Sequence, residues 1–339
     1  MNDSRVRLAI IGATGYTALE AARLAIRHPS IDLVAVTSRG DHGKPLAAVH
    51  PSLGEWTDIT LEAFDSHRLS ERVDAAFVCL PHAASAETVD QLLNVGLRVV
   101  DFSADFRLSD LSLYERTYDV THPCPERIAS VPYGMPEFFA DEIAKADLVA
   151  NPGCYPTSAI LPLAPLLSDQ LIEADDIIID SKSGVSGAGR SAKLATLYGE
   201  TNESMKAYAI GTHRHRPEIE DLLKRIASVS TKVIFTPHLV PMFRGILSTI
   251  YVRPKATTPE HIRAKWRSVF AGSFVKVVDQ SPATADVASS NRVHLAADES
   301  GDRIVITSAI DNLGKGASWA AVQNLNVMYG MNPSTGLIG

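Results

Sequence analysis

Short apolar runs alternate with amphipathic segments along the first half of the chain. The predicted strands are residues 5–11, 32–38, 74–80 and 98–103. Residues 17–28 and 85–96 are rich in helix-forming residues, and the second segment ends at Gly96, a residue typical of helix C-termini. Strand and helix repeats of this length predict an α/β fold with a parallel sheet covered by helices on both faces.

The pattern changes near residue 151. Beyond it, apolar and polar positions alternate in several runs, which predicts a mixed or antiparallel sheet and an α+β fold. The predicted strands are residues 175–189, which run into a glycine- and serine-rich loop, and residues 232–242, 245–254, 274–279, 292–300 and 303–311. The predicted helices are residues 217–228, 258–270 and 317–330. The last helix fits either part of the chain.

Composition narrows the class of protein. A chain of 339 residues favours two domains, and 45% apolar with 21% charged residues is close to the average of globular proteins. A net charge of -7 argues against nucleic acid or an acidic membrane as the main partner. The apolar patch near the N-terminus is too short for a signal peptide, and no run is long enough to span a membrane.

Cysteine usage points to a reducing compartment. The three cysteines, at positions 79, 124 and 154, form neither even pairs nor a metal-binding spacing, so a disulfide framework or a structural zinc site is not expected. The cytoplasm is the expected location.

A glycine turn lies between the first predicted strand and helix. Gly12 and Gly15, with Ala18 at the third small position, give the pattern G-x-x-G-x-x-A, and Thr14 and Tyr16 lie within it. Such a turn lets backbone N–H groups approach a pyrophosphate at a helix N-terminus. A plain tight turn with no ligand is the alternative.

The end of the second strand selects a cofactor. Ser38 and Arg39 stand where NAD-binding folds carry an acid for the ribose 2′-hydroxyl, and this pair suits a 2′-phosphate, which favours NADP(H). Alternatively, Arg39 is a solvated loop residue. Pro81 follows the third strand, at the sheet edge where ligands bind, and its loop is expected to border the nicotinamide. Cys79 is interpreted as a core residue.

Cys154, in the stretch NPGCYPTSAILPLAPLL, has two interpretations. Pro156 suits the first position of a helix, and a cysteine at a helix N-terminus has a lowered pKa and acts as a nucleophile. The other interpretation is a buried structural cysteine. Pro162 and Pro165 are expected to interrupt or kink the helix.

An acid–base partner for Cys154 is available in residues 211–226. Pro217 is expected to open a helix, and His213 and His215 lie just before it, on one side of the chain if that segment is extended. A helix N-terminus would keep an imidazole neutral. A His-x-His metal site is the rival interpretation, but no third ligand has a recognisable spacing.

Candidate cations for an anionic substrate are spread along the chain, and each is also a candidate surface residue. They are Arg107, Arg190, Arg214, Arg216 and Arg244. The glycine-rich stretch 181–190, which contains Gly187, is a second candidate for binding phosphate through backbone amides.

Nine stretches together resemble one known family. They are IIGATGYTALE, LPHAAS, VVDFSADFRL, YGMPE, NPGCYPT, SGVSGAGR, AYAIGTHRHRPEI, PHLVPMFRGI and NLGKGA with AVQNLN. In this order, over nearly the whole chain, they resemble the N-acetyl-γ-glutamyl-phosphate reductases of arginine biosynthesis.

The resemblance implies a fold and an activity. The fold is a Rossmann NADP-binding domain, residues 1–150 with 315–339, plus a mixed-sheet catalytic and oligomerisation domain, residues 151–314, as in aspartate-semialdehyde and glyceraldehyde-3-phosphate dehydrogenases. The enzyme is an NADP-dependent phosphorylating aldehyde dehydrogenase. It converts N-acetyl-γ-glutamyl phosphate into N-acetylglutamate 5-semialdehyde and phosphate. A homodimer or homotetramer is implied as well.

The resemblance also implies site residues. Cys154 matches the catalytic cysteine that forms a thioester, and His213 resembles the catalytic histidine. Tyr208 and Glu218 resemble supporting residues. Two alternatives stay open: the same chemistry on aminoadipyl or aspartyl phosphate, and a non-catalytic NADP-sensing regulator.

Overall fold

The computed structural model describes residues 5–337. The chain divides into two compact units. Unit 1 comprises Met1–Pro152 and Ala317–Gly339, and unit 2 comprises Gly153–Gly316. No helix within residues 5–337 is both long and apolar enough to cross a bilayer.

Unit 1 contains a six-stranded parallel sheet within the described residues. Its strands are β1 (Val6–Ile11), β2 (Ile31–Thr37), β3 (Leu61–Glu62), β4 (Ala75–Val78), β5 (Arg98–Asp101) and β6 (Leu148–Ala150). The strand order is β3-β2-β1-β4-β5-β6, so the direction of the winding reverses between β1 and β4. In such sheets ligands bind at the carboxyl ends of the strands at this point of reversal.

Helices cover both faces of this sheet, as the sequence predicts. They are α1 (Tyr16–Arg27), α2 (Leu46–Val49), α3 (Ser66–Ser70), α4 (Ala86–Asn94), α5 (Leu111–Tyr118) and α6 (Pro136–Ile143), with α11 (Trp319–Met328) at the end of the chain. Helix α1 packs on β1 and β2 and also contacts α11, whereas α4 packs on β4 and β5. Alanines on the buried side of α1 allow its backbone to approach the sheet closely.

Unit 2 contains a mixed seven-stranded sheet of order β11-β12-β13-β10-β7-β9-β8 in the part of the chain that the structure describes. Its strands are β7 (Ile172–Gly184), β8 (Lys206–Ala207), β9 (Val233–Val240), β10 (Ile246–Pro254), β11 (Val275–Val277), β12 (Val293–Ser300) and β13 (Arg303–Ile310). Its helices are α7 (Cys154–Ser168), α8 (Tyr198–Thr201), α9 (His215–Ala227) and α10 (Pro259–Val269). Alternate residues of β7 and β10 are buried and half-exposed, so these strands have one core face and one open face.

Helix α7 lies in the core of unit 2 and contacts α9, β7, β10 and β13. All of its residues from Tyr155 to Leu167 are buried. The expected place of Pro156 and the expected interruption at the later prolines are wrong. The helix begins at Cys154, so Pro156 is its third residue, and it continues through Pro162 and Pro165. Burial on every side holds the helix together, and the Pro162 carbonyl accepts a hydrogen bond from Trp266 Nε1 at 2.9 Å.

The predicted fold class is confirmed, with differences at the ends of elements. Helix α9 begins at His215, two residues before the predicted start at Pro217. Cys79 lies just after β4 instead of inside it. The sequence does not predict the short elements β3, α5 and α6, because each is too short to establish a period.

Candidate active site

The glycine turn of unit 1 requires its first glycine. Gly12 has φ of +80°, and a Cβ added there would lie 2.9 Å from the Cys79 carbonyl oxygen. Any other residue would therefore clash with the end of β4. The N–H groups of Gly12 and Ala13 both donate to the Thr37 carbonyl, at 3.2 and 2.9 Å, and Gly15 is the N-cap of α1. A tight turn thus leads directly into a helix N-terminus.

The neighbouring loop after β4 is fixed by a buried carboxylate. Asp105 accepts hydrogen bonds from the backbone N–H groups of Ala83, Ser85 and Ala86, at 2.7, 3.0 and 3.1 Å. Ala83 has φ of +59°, a conformation that non-glycine residues rarely adopt, so these bonds hold strained backbone in place. Pro81 lies exposed in this loop, at the carboxyl end of the sheet.

A second buried carboxylate holds the same loop through Ser85. Asp101, at the end of β5, accepts hydrogen bonds from the hydroxyls of Ser85 and Ser103, at 2.7 and 2.6 Å. Burial is the main reason why its pKa rises to about 6, and the charge of Asp105 adds to the effect. Sequence reasoning missed both carboxylates, although their spacing after a strand end was a usable signal.

The Ser38–Arg39 turn follows β2. Ser38 is buried and its hydroxyl accepts the Asp41 N–H at 3.2 Å, whereas Arg39 is exposed. An exposed cation beside a fixed hydroxyl is suited to a phosphate monoester. Together with the tight turn at Gly12 and the helix N-terminus that follows it, these residues fit a dinucleotide with a 2′-phosphate.

The cysteines of unit 1 lack the surroundings of a nucleophile. Burial raises the pKa of Cys79, which is hydrogen-bonded to Thr17. Burial and then the charge of Asp90 raise the pKa of Cys124 to about 11. Both therefore remain thiols at neutral pH.

Cys154 differs from both because it is the first residue of α7 and is only partly buried. The preceding residue, Gly153, is the N-cap, and its N–H donates to Oε1 of buried Glu218 at 3.0 Å. Gly316 lies against the nucleophile candidate, since a Cβ added there would be 2.9 Å from the Cys154 Cβ. Sequence reasoning did not single out Gly316, which belongs to the stretch NLGKGA.

Aromatic rings surround His213. The ring centroids of Tyr155, Tyr208 and Phe235 lie 5.6, 5.5 and 5.3 Å from that of His213, and the His215 ring lies at 4.9 Å. The two histidines are therefore neighbours, although His215 lies inside a helix and not in an extended segment. Burial, followed by the charge of Arg214, lowers the pKa of His213 to about 4.

One hydrogen bond determines the tautomer of His213. The backbone N–H of His215 donates to His213 Nδ1 at 3.1 Å. A neutral imidazole has one donor and one acceptor nitrogen, so its proton lies on Nε2. In this arrangement His213 offers a hydrogen-bond donor and no free base.

Two tyrosines of this aromatic cluster, Tyr155 and Tyr208, also lie near Cys154. The hydroxyls of Tyr155 and Tyr208 are 3.1 Å apart. Burial raises the pKa of Tyr208 to about 12, and the charge of Cys154 contributes to this increase. Both phenols remain protonated at neutral pH, and the Cys154 sulfur lies within electrostatic range of them.

The candidate arginines have different surroundings. Buried Arg107 donates from Nε to the Asn151 carbonyl at 2.7 Å and from Nη2 to the Phe102 carbonyl at 2.8 Å, which are structural contacts within unit 1. Arg244 forms an ion pair with buried Asp311 at 3.3 Å.

The remaining candidates lie near the surface. Arg190 and Arg214 are exposed, and Arg216 pairs with Glu220 at 3.2 Å. Gly187 is exposed in the turn after β7. A role of these residues in substrate or cofactor binding stays a prediction.

Two family profiles match the chain. Residues 7–146 match the semialdehyde dehydrogenase NAD-binding domain, and residues 154–312 match the semialdehyde dehydrogenase dimerisation domain.

Among curated proteins, the chain is similar to N-acetyl-γ-glutamyl-phosphate reductases over its full length. It is 59% identical to the protein from Rhodopirellula baltica, with 100% of each chain covered, and 46% identical to that from Desulforudis audaxviator, with 98% covered.

Solved structures show the same fold. Aspartate semialdehyde dehydrogenase II from Vibrio cholerae, complexed with ASA, superposes with a TM-score of 0.73 at 18% identity, covering 96% of this chain and 98% of that one. Aspartate semialdehyde dehydrogenase from Candida albicans, with NADP, gives 0.70 at 16% identity, covering 96% and 99%.

Proposed function

Because this chain belongs to the N-acetyl-γ-glutamyl-phosphate reductase family, we propose that it reduces N-acetyl-γ-glutamyl phosphate to N-acetylglutamate 5-semialdehyde and phosphate. The observation that carries the proposal is the environment of Cys154, the first residue of a buried helix, in the same unit as a neutral histidine. A thiolate is the nucleophile suited to an acyl phosphate, and the resulting thioester is reducible, whereas a carboxylate is not.

The covalent steps need no side chain to accept or to donate a proton. The Cys154 thiolate attacks the acyl carbon, the C–O bond to phosphate breaks, and phosphate leaves with the bonding electrons and takes its proton from solvent. When bound, a reduced nicotinamide would supply the hydride that converts the thioester carbonyl into an oxyanion. That oxyanion collapses to the aldehyde and regenerates the Cys154 thiolate.

We infer that His213 stabilises the oxyanions on this path as a hydrogen-bond donor. Its Nδ1 already accepts the His215 N–H, and only Nε2 carries a proton. A neutral imidazole with a pKa near 4 is rarely charged at pH 7, so donation of a hydrogen bond suits it better than acid–base exchange. Glu218 fixes the Gly153 peptide and thereby the position of Cys154, and the Tyr155–Tyr208 pair packs against the imidazole.

We further propose NADP(H) as the cofactor, held by unit 1. Gly12, Gly15 and the N–H groups at the start of α1 would hold the pyrophosphate, with Thr14 and Tyr16 beside it. Ser38 and Arg39 would hold the 2′-phosphate. Unit 2 would then be the catalytic and oligomerisation domain. The three free cysteines favour the reducing cytoplasm as the compartment.

The open face of the unit 2 sheet suits a second copy of the chain. Ile234, Ile178, Tyr251 and Val305 lie side by side in register across β9, β7, β10 and β13, on the face opposite the core. Ile234 is 63% exposed. An apolar row of this kind is typical of homodimer interfaces, so we propose a homodimer, or a homotetramer built from it.

The decisive experiment runs the reaction in the direction of stable substrates. The wild type is expected to form NADPH from N-acetylglutamate 5-semialdehyde, NADP and phosphate, with no formation when phosphate is omitted. Aspartate semialdehyde and aminoadipate semialdehyde, at equal concentration, test the rival substrates. A higher specificity constant for either rival would reject the proposed substrate.

Cysteine variants test the nucleophile. Cys154→Ser is expected to lower the rate by roughly 10³-fold or more while NADPH affinity is unchanged. Cys124→Ser, at a cysteine outside the site, is the matched control and should keep the rate. A thioester on Cys154, trapped by acyl phosphate without NADPH and seen by mass spectrometry, would support the path. Near-normal turnover of Cys154→Ser would reject the thioester path. A wild type that binds NADP(H) but turns over none of the substrates would instead leave the NADP-sensing regulator as the alternative.

A further inference from the structure

Three histidines of unit 1 are buried in the same way. His28, His50 and His122 are each at most 3% exposed, and each has Nε2 at 2.9 Å from a backbone carbonyl oxygen. Because a carbonyl only accepts hydrogen bonds, Nε2 is the donor in each case. The carbonyl that His50 binds belongs to Ala13, inside the glycine turn.

We propose that His50 is a positioning residue for the dinucleotide, one that orients the glycine turn through the Ala13 carbonyl. This inference rests on the proposed use of NADP(H) in unit 1. His50 itself is buried and does not need to touch the cofactor.

The hydrogen bonds of the turn explain how the effect arises. The N–H groups of Gly12 and Ala13 are used by the Thr37 carbonyl, and the Ala13 carbonyl is used by His50. In a trans peptide the C=O and the following N–H point in opposite directions, so the Thr14 N–H points away from His50. The bond to His50 thus holds the partly negative Ala13 carbonyl oxygen on one side of the turn. The Thr14 N–H points to the other side. An anion at the start of α1 would then face the N–H side of this peptide and not the Ala13 carbonyl oxygen.

The segment that carries His50 is itself fastened to α1. We call residues 46–56 the brace. The His50 N–H donates to the Leu46 carbonyl at 2.9 Å, which completes the short helix α2. From α1, Arg23 donates to the Ser52 hydroxyl at 2.7 Å, and the Arg27 guanidinium lies 3.6 Å from the centre of the Trp56 ring. The brace therefore fixes the imidazole relative to both the turn and the helix that follows it.

Three variants separate positioning from general stability. His50→Leu removes the donor, and His50→Gln retains an N–H donor on a side chain of similar reach. His28→Leu is the matched control, because His28 is equally buried and makes the same kind of bond, but to the Thr335 carbonyl. The readouts are the dissociation constant of NADPH, measured by fluorescence titration, and amide hydrogen exchange of residues 12–19 without cofactor.

We expect His50→Leu to weaken NADPH binding by about 10- to 100-fold and to speed exchange in residues 12–19. In turnover, KM for NADPH should rise while kcat stays within about twofold, as expected for a ground-state binding effect. His50→Gln should restore binding to within about threefold of the wild type. His28→Leu should lower the melting temperature but leave NADPH affinity unchanged.

The inference is overturned if His50→Leu binds NADPH as the wild type does, if His28→Leu weakens binding equally, or if His50→Gln rescues nothing. Its failure is distinguishable from failure of the proposed function. A wild type that binds NADPH but oxidises none of the semialdehydes with NADP and phosphate would reject the function. The role of His50 would then be decided by NADPH affinity alone. A wild type that does not bind NADPH would overturn both.

Discussion

The backbone N–H of His215 donates a hydrogen bond to Nδ1 of His213, with 3.1 Å between the two nitrogens. The bond leaves the single imidazole proton on Nε2 and makes His213 a fixed donor. An enzyme that uses His213 in this way differs from one that cycles the ring between neutral and charged forms.

The first prediction follows from this tautomer. His213→Gln retains an N–H donor and should keep part of the activity, whereas His213→Ala should lower kcat by about 10²- to 10³-fold, the usual cost of losing one oxyanion donor. Steady-state kinetics of both variants check this. Equal loss of activity in the two variants would indicate acid–base catalysis instead.

The second prediction concerns pH and stability. The pKa of His213 is about 4 in the folded chain, lowered mainly by burial from the 6.5 that is usual for an exposed histidine. The unfolded chain therefore binds a proton at this site as the pH falls below 6.5, while the folded chain does not until about pH 4. The stability contribution of the neutral ring is complete above pH 6.5 and declines as the pH falls toward 4.

The measurement is the free energy of unfolding at pH 7 and pH 5, followed by Trp266 fluorescence in a background where Trp56 and Trp319 are phenylalanine. Wild type should lose about 2 kcal/mol more than His213→Gln over this interval. The comparison between the two proteins removes the similar contributions of His28 and His122, whose pKa values are also lowered by burial. An identical pH dependence in both proteins would contradict the prediction.

The third prediction tests the contact between Gly316 and Cys154, the proposed nucleophile. A Cβ at Gly316 would lie 2.9 Å from the Cys154 Cβ, which is too close, so Gly316→Ala must displace the cysteine. We expect the rate of Cys154 alkylation by iodoacetamide and kcat to change, with kcat falling by about tenfold or more. Gly199→Ala is the control, because nothing lies within 4 Å of its added Cβ. Unchanged kcat in Gly316→Ala would show that the site adjusts without cost.

The fourth prediction tests cofactor selection. Ser38→Asp places a carboxylate beside Arg39 and should weaken NADPH binding by about tenfold or more, while NADH binding changes by less than about threefold. Ser38→Ala, which removes the hydroxyl without adding charge, separates repulsion from the loss of a hydrogen bond. If Ser38→Asp weakens both cofactors equally, the turn does not contact the 2′-phosphate.

The fifth prediction tests the dimer face. Ile178→Asp introduces a charge in the apolar row across the sheet and should raise the dimer dissociation constant by about 100-fold or more. Sedimentation velocity at micromolar concentration measures it. Val269→Asp, at an exposed apolar position at the end of α10, is the control and should remain associated. Dimerisation of Ile178→Asp at wild-type strength would place the interface elsewhere.

The fold is predictable wherever a period can be established. The strands β1, β2 and β10 and the helices α1 and α9 have clear apolar patterns, and their predicted ends agree with the structure within a few residues. Helix α7 shows the limit of local rules. Two internal prolines predict a break, but burial on all sides outweighs that preference, and Trp266 Nε1 donates to the Pro162 carbonyl.

The candidate site is predictable only in part. Cys154 stands out because of its place at a helix start. The environment of His213 does not, because Phe235 and Tyr155 reach it from strand β9 and helix α7, which no spacing along the chain connects with it. The position of Asp105 shortly after a strand end was a usable signal, but its partners, backbone N–H groups of a different loop, were not predictable. Tertiary proximity of this kind leaves no periodic trace.

Unit 2 interrupts the sequence of unit 1 once. Unit 2 is one uninterrupted segment, and its ends meet, since Gly316 touches Cys154. The ends that it leaves in unit 1 also meet, since the Asn151 side chain donates to the Ala317 carbonyl at 3.0 Å. A segment with joined ends can be inserted into, or exchanged within, a host domain without stretching either partner. Cys154 thus lies where the sequence of unit 2 begins, so replacement of the whole of unit 2 would exchange this cysteine together with the sheet and helices that surround it.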